Sequence, residues 1–337
     1  MKKILVTGGG GYVGSVLVKK LLELGHFVRV LDLFLYDKEP FREIDLSKTR
    51  GKLDIFKGDI RNAKLHDFVL SDIDTVIHLA CISNDPSFDL DPRLGKSINL
   101  DAFEPFVKAA KFNGVERFIN ASSSSVYGIN DSDNVTENTE CNPLTDYSKF
   151  KLENEKVLDG YESHDFTTVS IRSATVCGYS PRQRLDVIVN ILTNHAYNLG
   201  KITVTGGAQK RPNVHIQDLA DLYVKLTEVD FKKITGQVFN FGGPNYTVNE
   251  LAKLVNKTVV HRDVKIYKTE TNDLRSYHIS SEKILQVLGV KPKRSIEDAV
   301  NDLCNAFATG KLPDSLKSTK YFNIERLKEI KETKARR

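Results

Sequence analysis

Ile4-Leu5-Val6-Thr7-Gly8-Gly9-Gly10-Gly11-Tyr12-Val13-Gly14 is a short apolar run broken by a glycine cluster, and a helix-like stretch from Ser15 to Leu24 follows it. Strand, glycine turn and helix in that order bring backbone N–H groups and a helix N-terminus close to a diphosphate. Two glycine registers fit, Gly9-Gly11-Gly14 with the tighter dinucleotide spacing and Gly8-Gly11-Gly14 with the wider one, and the pattern does not choose between them. The next apolar run, Phe27 to Leu31, ends in Asp32, at the separation where an acid meets the adenosine ribose hydroxyls. A carboxylate there repels a 2′-phosphate, so these residues point to NAD rather than NADP.

Outward from this stretch, apolar runs alternate with amphipathic ones: Thr75 to Leu79, Phe118 to Ala121, a helix around Tyr147 to Leu158, and Thr167 to Arg172. Alternating strands and helices imply an α/β fold, a doubly wound parallel sheet of the Rossmann type, over residues 1–173. From Ala174 the rhythm changes to shorter elements between Gly178-Tyr179-Ser180-Pro181, Gly206-Gly207 and Gly242-Gly243-Pro244, which predicts a second, smaller mixed α/β substrate lobe over 174–312. Within it, 238–242 reads as a buried strand returning to the first sheet. Residues 313–337 form a charged C-terminal tail, helical or mobile.

The 337 residues are 40% apolar and 28% charged, which is the composition of a soluble globular chain with a full core. The net charge of +5 is dispersed, apart from Lys331, Lys334, Arg336 and Arg337, and gives no nucleic-acid footprint. The N-terminal apolar run is too short for a signal peptide or membrane span. Cys81, Cys141, Cys177 and Cys304 are scattered, with neither zinc-site pairing nor the density of a disulfide scaffold. Free thiols in a reducing cytoplasm, and no metal, are the expectation.

Tyr147 and Lys151 stand four apart, on one face of a helix. A nearby ammonium lowers a phenol's pKa towards working pH and makes it a usable general base. Upstream, Ala121-Ser122-Ser123-Ser124-Ser125-Val126-Tyr127-Gly128 closes a strand at the edge where such sheets bind ligands. With Thr7 to Gly14, Asp59-Ile60, His78-Leu79-Ala80, Asn99 and Arg172 in order, the sequence resembles the extended short-chain dehydrogenases of the sugar-nucleotide epimerase and dehydratase family over residues 1–300. The resemblance implies Ser123 as catalytic hydroxyl, Tyr147 as base, and Lys151 as the group that holds the ribose and tunes Tyr147. It places Gly8, Gly11, Tyr12, Val13 and Gly14 at the diphosphate of NAD, Asp32 and Leu33 at the adenosine ribose, and Asp59 and Ile60 at the adenine. Leu79, Ala80 and Asn99 border the rest of the cofactor.

The family's second lobe binds a nucleotide diphosphate, so Arg211 and Arg275 resemble its two substrate arginines. Thr175 stands where the family usually carries Asn, and Ser83-Asn84-Asp85-Pro86 reads equally as a sugar-facing insertion or a capped loop. Ser124 and Ser125 occupy the places where the 4,6-dehydratase branch carries its acid and glutamate base, which argues against water elimination. The resemblance therefore implies oxidation at C4 of a nucleotide-linked sugar, as an epimerase or 4-dehydrogenase. A 4-ketoreductase is the near rival, and a catalytically silent NAD-sensing protein the distant one. Apolar positions along Asp101 to Phe112 and Ser148 to Leu158 exceed what one sheet face covers, which predicts an isologous homodimer.

Overall fold

The computed structural model describes every residue except 84–87, 89, 131, 133, 271–275, 277, 336 and 337, and the backbone alone at 334 and 335. Its strands are β1 (Lys3–Thr7), β2 (Phe27–Asp32), β3 (Lys52–Lys57), β4 (Thr75–His78), β5 (Arg117–Ser123), β6 (Thr167–Ser173), β7 (Thr175–Cys177), β8 (Lys201–Thr205), β9 (Lys210–His215), β10 (Gln237–Phe241), β11 (Asn245–Thr247) and β12 (Lys265–Thr269). Seven of them form one sheet in the order β10-β6-β5-β4-β1-β2-β3. All its pairings are parallel, as the alternating pattern predicted. Strand order reverses between β1 and β4, and ligands bind outside the carboxyl ends of strands at such a switch point.

Each central strand is buried on both faces. Along β1, Ile4 and Val6 pack to one side and Leu5 to the other, the period of two that a pleated strand imposes. The first side is covered by helices Tyr12–Glu23 and Ile216–Glu228, and the second by helices Phe103–Phe112 and Asp146–Tyr161. Helix Ile216–Glu228 belongs to the sheet although it follows residue 174, because its stripe of Leu219, Leu222 and Leu226 shares a core with Leu17 and Leu21. β10 then pairs parallel with β6, Phe239 opposite Ile171. The chain thus crosses back over the residue-174 boundary for the whole of 216–241.

β11, β9 and β7 make a three-stranded sheet, and β12 pairs with β8. Helices Ile188–Leu199, Val248–Thr258 and Ile296–Ala308 bury Leu192, Leu251 and Val300 against Ile202 and Val204 in a separate core. The C-terminal stretch is docked rather than free. Tyr321 is buried with Leu185 and Leu303, and Leu327 reaches the second face of the main sheet. Lys331 pairs with Asp91 at 2.9 Å, and Arg326 Nε donates to Leu35 O at 3.0 Å. Among the described residues no helix is long and apolar enough to cross a membrane.

Candidate active site

The glycine turn lies at the switch point, and its geometry selects the register that the pattern left open. Gly8 has φ +71°, and a Cβ there would stand 2.7 Å from the Ala80 nitrogen. A Cβ on Gly14 would stand 2.4 Å from Gly8 O and 2.6 Å from the Gly9 Cα, all backbone. At Gly9 the nearest atoms belong to the Val30 side chain, which is softer. The wider Gly8-Gly11-Gly14 register therefore carries the constraint. Helix Tyr12–Glu23 starts at Gly11 without a side-chain cap and with no acid in its first turn. Its leading N–H groups are left for an anion, so the turn fits the diphosphate of a dinucleotide.

Asp32 ends β2 beside this turn. Its carboxylate accepts from Gly10 N at 2.9 Å and Phe34 N at 2.7 Å. Burial pushes its carboxyl pKa up, and the N–H groups of Phe34 and Gly10 oppose that. Leu33, Ile60, Leu79 and Ala80 line the same cleft with Gly8, Gly11, Tyr12, Val13 and Gly14. Asp59 and Asn99 are not among the residues lining it. Asp59 is paired with Arg61, while Asn99 Oδ1 accepts from Ile82 N at 2.8 Å and its Nδ2 donates to Ile82 O at 3.0 Å, bracing the loop after β4.

Ser123, Tyr147 and Lys151 converge on the cleft from β5 and helix Asp146–Tyr161. Thr145 caps that helix by accepting from Ser148 N at 3.3 Å. Lys151 is buried, with its ammonium 5.9 Å from the centre of the Tyr147 ring and donating to Ala121 O at 2.5 Å. Ser123 Oγ lies 2.9 Å from Ser125 Oγ, which in turn accepts from Ser148 Oγ at 2.8 Å. Beneath them lies His78, whose imidazole is held to about 3 by burial and by Lys151, and whose Nδ1 is 3.0 Å from Thr7 Oγ1. A buried network that sequence reasoning missed fixes the helix to the sheet. Glu155 takes Arg172 Nη2 at 2.7 Å, Arg172 Nη1 donates to Tyr127 OH at 2.8 Å, and that hydroxyl donates to Asn240 on β10 at 2.7 Å.

The substrate assignments fare differently. Thr175 and Ser83 line the cleft, but Ser83 Oγ is taken by Arg184 Nη1 at 3.2 Å and Asn323 Nδ2 at 3.1 Å. Asn84 and Arg275 lie outside the described residues. Arg211 sits on β9 opposite Tyr246 of β11, off the cleft wall, with Nη1 donating to Lys210 O at 2.9 Å. The cleft instead draws its arginines from the loop after β7, as Arg182 and Arg184, with Tyr36 and Asn323 beside them. Pro181-Arg182-Gln183-Arg184 carried a local charge signal, but nothing in its spacing placed it at the glycine turn. Asp32 is the one carboxylate among the described residues lining the cleft, and no metal-binding cluster occurs among the described residues.

Comparison with known proteins agrees with this geometry. The sequence pattern of the NAD dependent epimerase/dehydratase family matches residues 4–242. The UDP-glucose 4-epimerase of Lactobacillus helveticus is 29% identical over 320 residues, spanning 88% of this chain and 94% of that protein. The structure of the UDP-glucose 4-epimerase of Thermotoga maritima with UDP-glucose superposes with a TM-score of 0.80 at 25% identity, over 91% of this chain and 99% of that one. MoeE5 in complex with UDP-glucuronic acid and NAD gives 0.78 at 26%, over 91% and 99%.

Proposed function

Because the chain belongs to the NAD-dependent epimerase/dehydratase family, we propose that it oxidises C4 of a nucleotide-linked sugar and inverts that centre through a 4-keto sugar. One observation carries the reading: Ser123, Tyr147 and Lys151 share a cleft with the glycine turn, and Asp32, the one described carboxylate there, is engaged by backbone N–H groups. When bound, NAD supplies the acceptor for the hydride leaving C4. Tyr147 takes the proton from the C4 hydroxyl, and the Lys151 ammonium stabilises the phenolate that does so. Ser123, oriented by Ser125, hydrogen-bonds the oxygen at C4 and holds the ring for transfer. Elimination of water needs a base at C5, and Ser124 and Ser125 follow Ser123 instead of carboxylates.

The protein's surroundings follow from the same reading. We place it in the cytoplasm, where nucleotide-sugars are made and its free thiols stay reduced. It works there as a homodimer joined through helices Phe103–Phe112 and Asp146–Tyr161, where half-buried Ala109, Leu152 and Val157 edge the chain's own cores and Phe112 stands 86% exposed. The deciding assay is proton NMR of UDP-glucose, UDP-N-acetylglucosamine and dTDP-glucose, each incubated with the protein and a sub-stoichiometric amount of NAD. A C4-inverted product without accumulating NADH is expected. NADH rising in step with a keto sugar makes the protein a 4-dehydrogenase instead, and a product lacking water overturns the assignment.

A further inference from the structure

The glycine turn offers a diphosphate backbone N–H groups but no full positive charge. Among the described residues lining the cleft the cations are Lys151, Arg182 and Arg184, and Lys151 is tied to Ala121 at the catalytic end. Arg182 and Arg184 are 2% and 8% exposed. Arg184 Nε donates to Asp186 at 2.9 Å, and its buried Nη2 has no partner. Arg182 stacks 4.2 Å over the Tyr36 ring and donates from Nη2 to Asn323 Oδ1 at 2.6 Å, while its buried Nε has no partner. Of the two buried guanidinium groups only Arg184 pairs directly with a carboxylate, Asp186, while Asp32 acts on Arg182 across the cleft. Burial and the neighbouring Arg184 hold the Arg182 guanidinium down to about 10. Buried guanidinium donors left without an acceptor are unfavourable until an acceptor group such as a phosphate oxygen completes them.

We propose that Arg182 and Arg184 grip the diphosphate of the bound dinucleotide from the second lobe, opposite the glycine turn, and that Asp186 and Asn323 position them. Their loop is stitched to the start of helix Tyr12–Glu23. Tyr12 OH donates to Gly178 O at 2.7 Å, and Ser180 Oγ donates to Tyr12 O at 2.8 Å. Tyr36, under Arg182, lies four residues beyond Asp32, at the adenosine side of the cleft. This places the pair at the adenosine diphosphate half of the cofactor, away from the sugar-facing Ser123 and Tyr147. Asn323 N donates to Asp186 at 2.9 Å, so the docked C-terminal segment closes the clamp. Cofactor retention is then shared by three distant parts of the chain: the glycine turn, the loop after β7, and the C-terminal segment.

The inference rests on the cofactor and not on which sugar is turned over, so binding is measured with no turnover, and a failed epimerase assay leaves the test intact. NAD, ADP and UDP are titrated calorimetrically against the full chain, wild type and with Arg182→Gln or Arg184→Gln. Each variant should bind NAD and ADP about tenfold or more weakly, with UDP within about twofold of wild type. Unchanged NAD and ADP affinity overturns the clamp, and a loss confined to UDP reassigns the arginines to the sugar nucleotide and overturns it equally. If a glutamine variant does not fold, Arg184→Lys and Asn323→Ala decide by the same comparison. The first keeps the charge without the fork and the second removes only the support. A several-fold weakening of ADP relative to UDP upholds the proposal, and an unchanged ratio overturns it.

Discussion

At the scale of single residues, the proposed chemistry turns on Tyr147 and on what surrounds it. Its phenol is the group assigned to proton transfer, so Tyr147→Phe should lower kcat by about two to four powers of ten, the range typical of a positioned acid or base. NAD titration should give near wild-type affinity, and a kcat within about threefold of wild type would remove Tyr147 from the role. His78, buried below the site, governs stability rather than chemistry. Its folded pKa of about 3 lies under the ordinary histidine value of about 6.5. Below the higher value the unfolded chain binds a proton that the native protein does not, so stability is full above it and falls with pH towards the lower one. The slope is about 1.4 kcal/mol per pH unit for one proton. His26 and His195 are lowered in the same direction by burial, so the wild type alone does not isolate the effect. His78→Gln should make the pH dependence of urea unfolding shallower by about one proton between pH 6 and 4. An unchanged slope would show that His78 is protonated in the fold.

At the scale of elements, two junctions hold the site in shape. The turn between β1 and helix Tyr12–Glu23 has no room for a side chain at Gly14, where a Cβ meets backbone at 2.4 Å. Gly14→Ala forces the turn open, so it should cost about 1–3 kcal/mol in unfolding and weaken NAD binding as well, because the same N–H groups move. Loss of stability without loss of NAD affinity would separate the turn from the cofactor. The other junction is the ion pair of Glu155 on the catalytic helix with Arg172 on β6, whose side chains are 5% and 7% exposed. Glu155→Ala leaves a buried guanidinium without its carboxylate, an omission that costs about 3–5 kcal/mol. A change under about 1 kcal/mol in urea titration would show that Tyr127 alone compensates Arg172.

At the scale of the whole molecule, the two helices assigned to the dimer carry most of their apolar residues inward: Phe103, Phe106, Val107, Ala110 and Leu158 are buried within the chain. Of their large apolar residues, Phe112 is the exposed one. Light scattering at micromolar concentration should report a dimer, and Phe112→Glu should shift it towards monomer; a wild-type monomer would remove the interface. The parallel sheet, the glycine turn, Asp32 and the spacing of Tyr147 and Lys151 were legible in the sequence as local patterns of period, spacing or backbone freedom, while Ser123 was put forward only by the family resemblance and the fold brings it into the same cleft. The glycine register was not, since Gly9 and Gly8 fit equally until the φ of Gly8 and its contact with Ala80 decided between them. Nor were the arginines of the cleft. Arg211 carried the family signal yet lies off the wall, while Arg182 and Arg184 are delivered there by contacts with Asn323, 141 residues away, and Ser83, 101 residues away. The charged tail showed no local sign of docking, because what holds it is Leu327 in a core built by other elements. The sequence by itself determined which elements form and put forward Ser123, Tyr147 and Lys151 as the reacting set, since strand and helix periods depend on neighbours along the chain. Which cations line the cleft, and which C-terminal residue meets them there, only the tertiary structure decided, since burial and pairing depend on residues that meet only when the chain is folded.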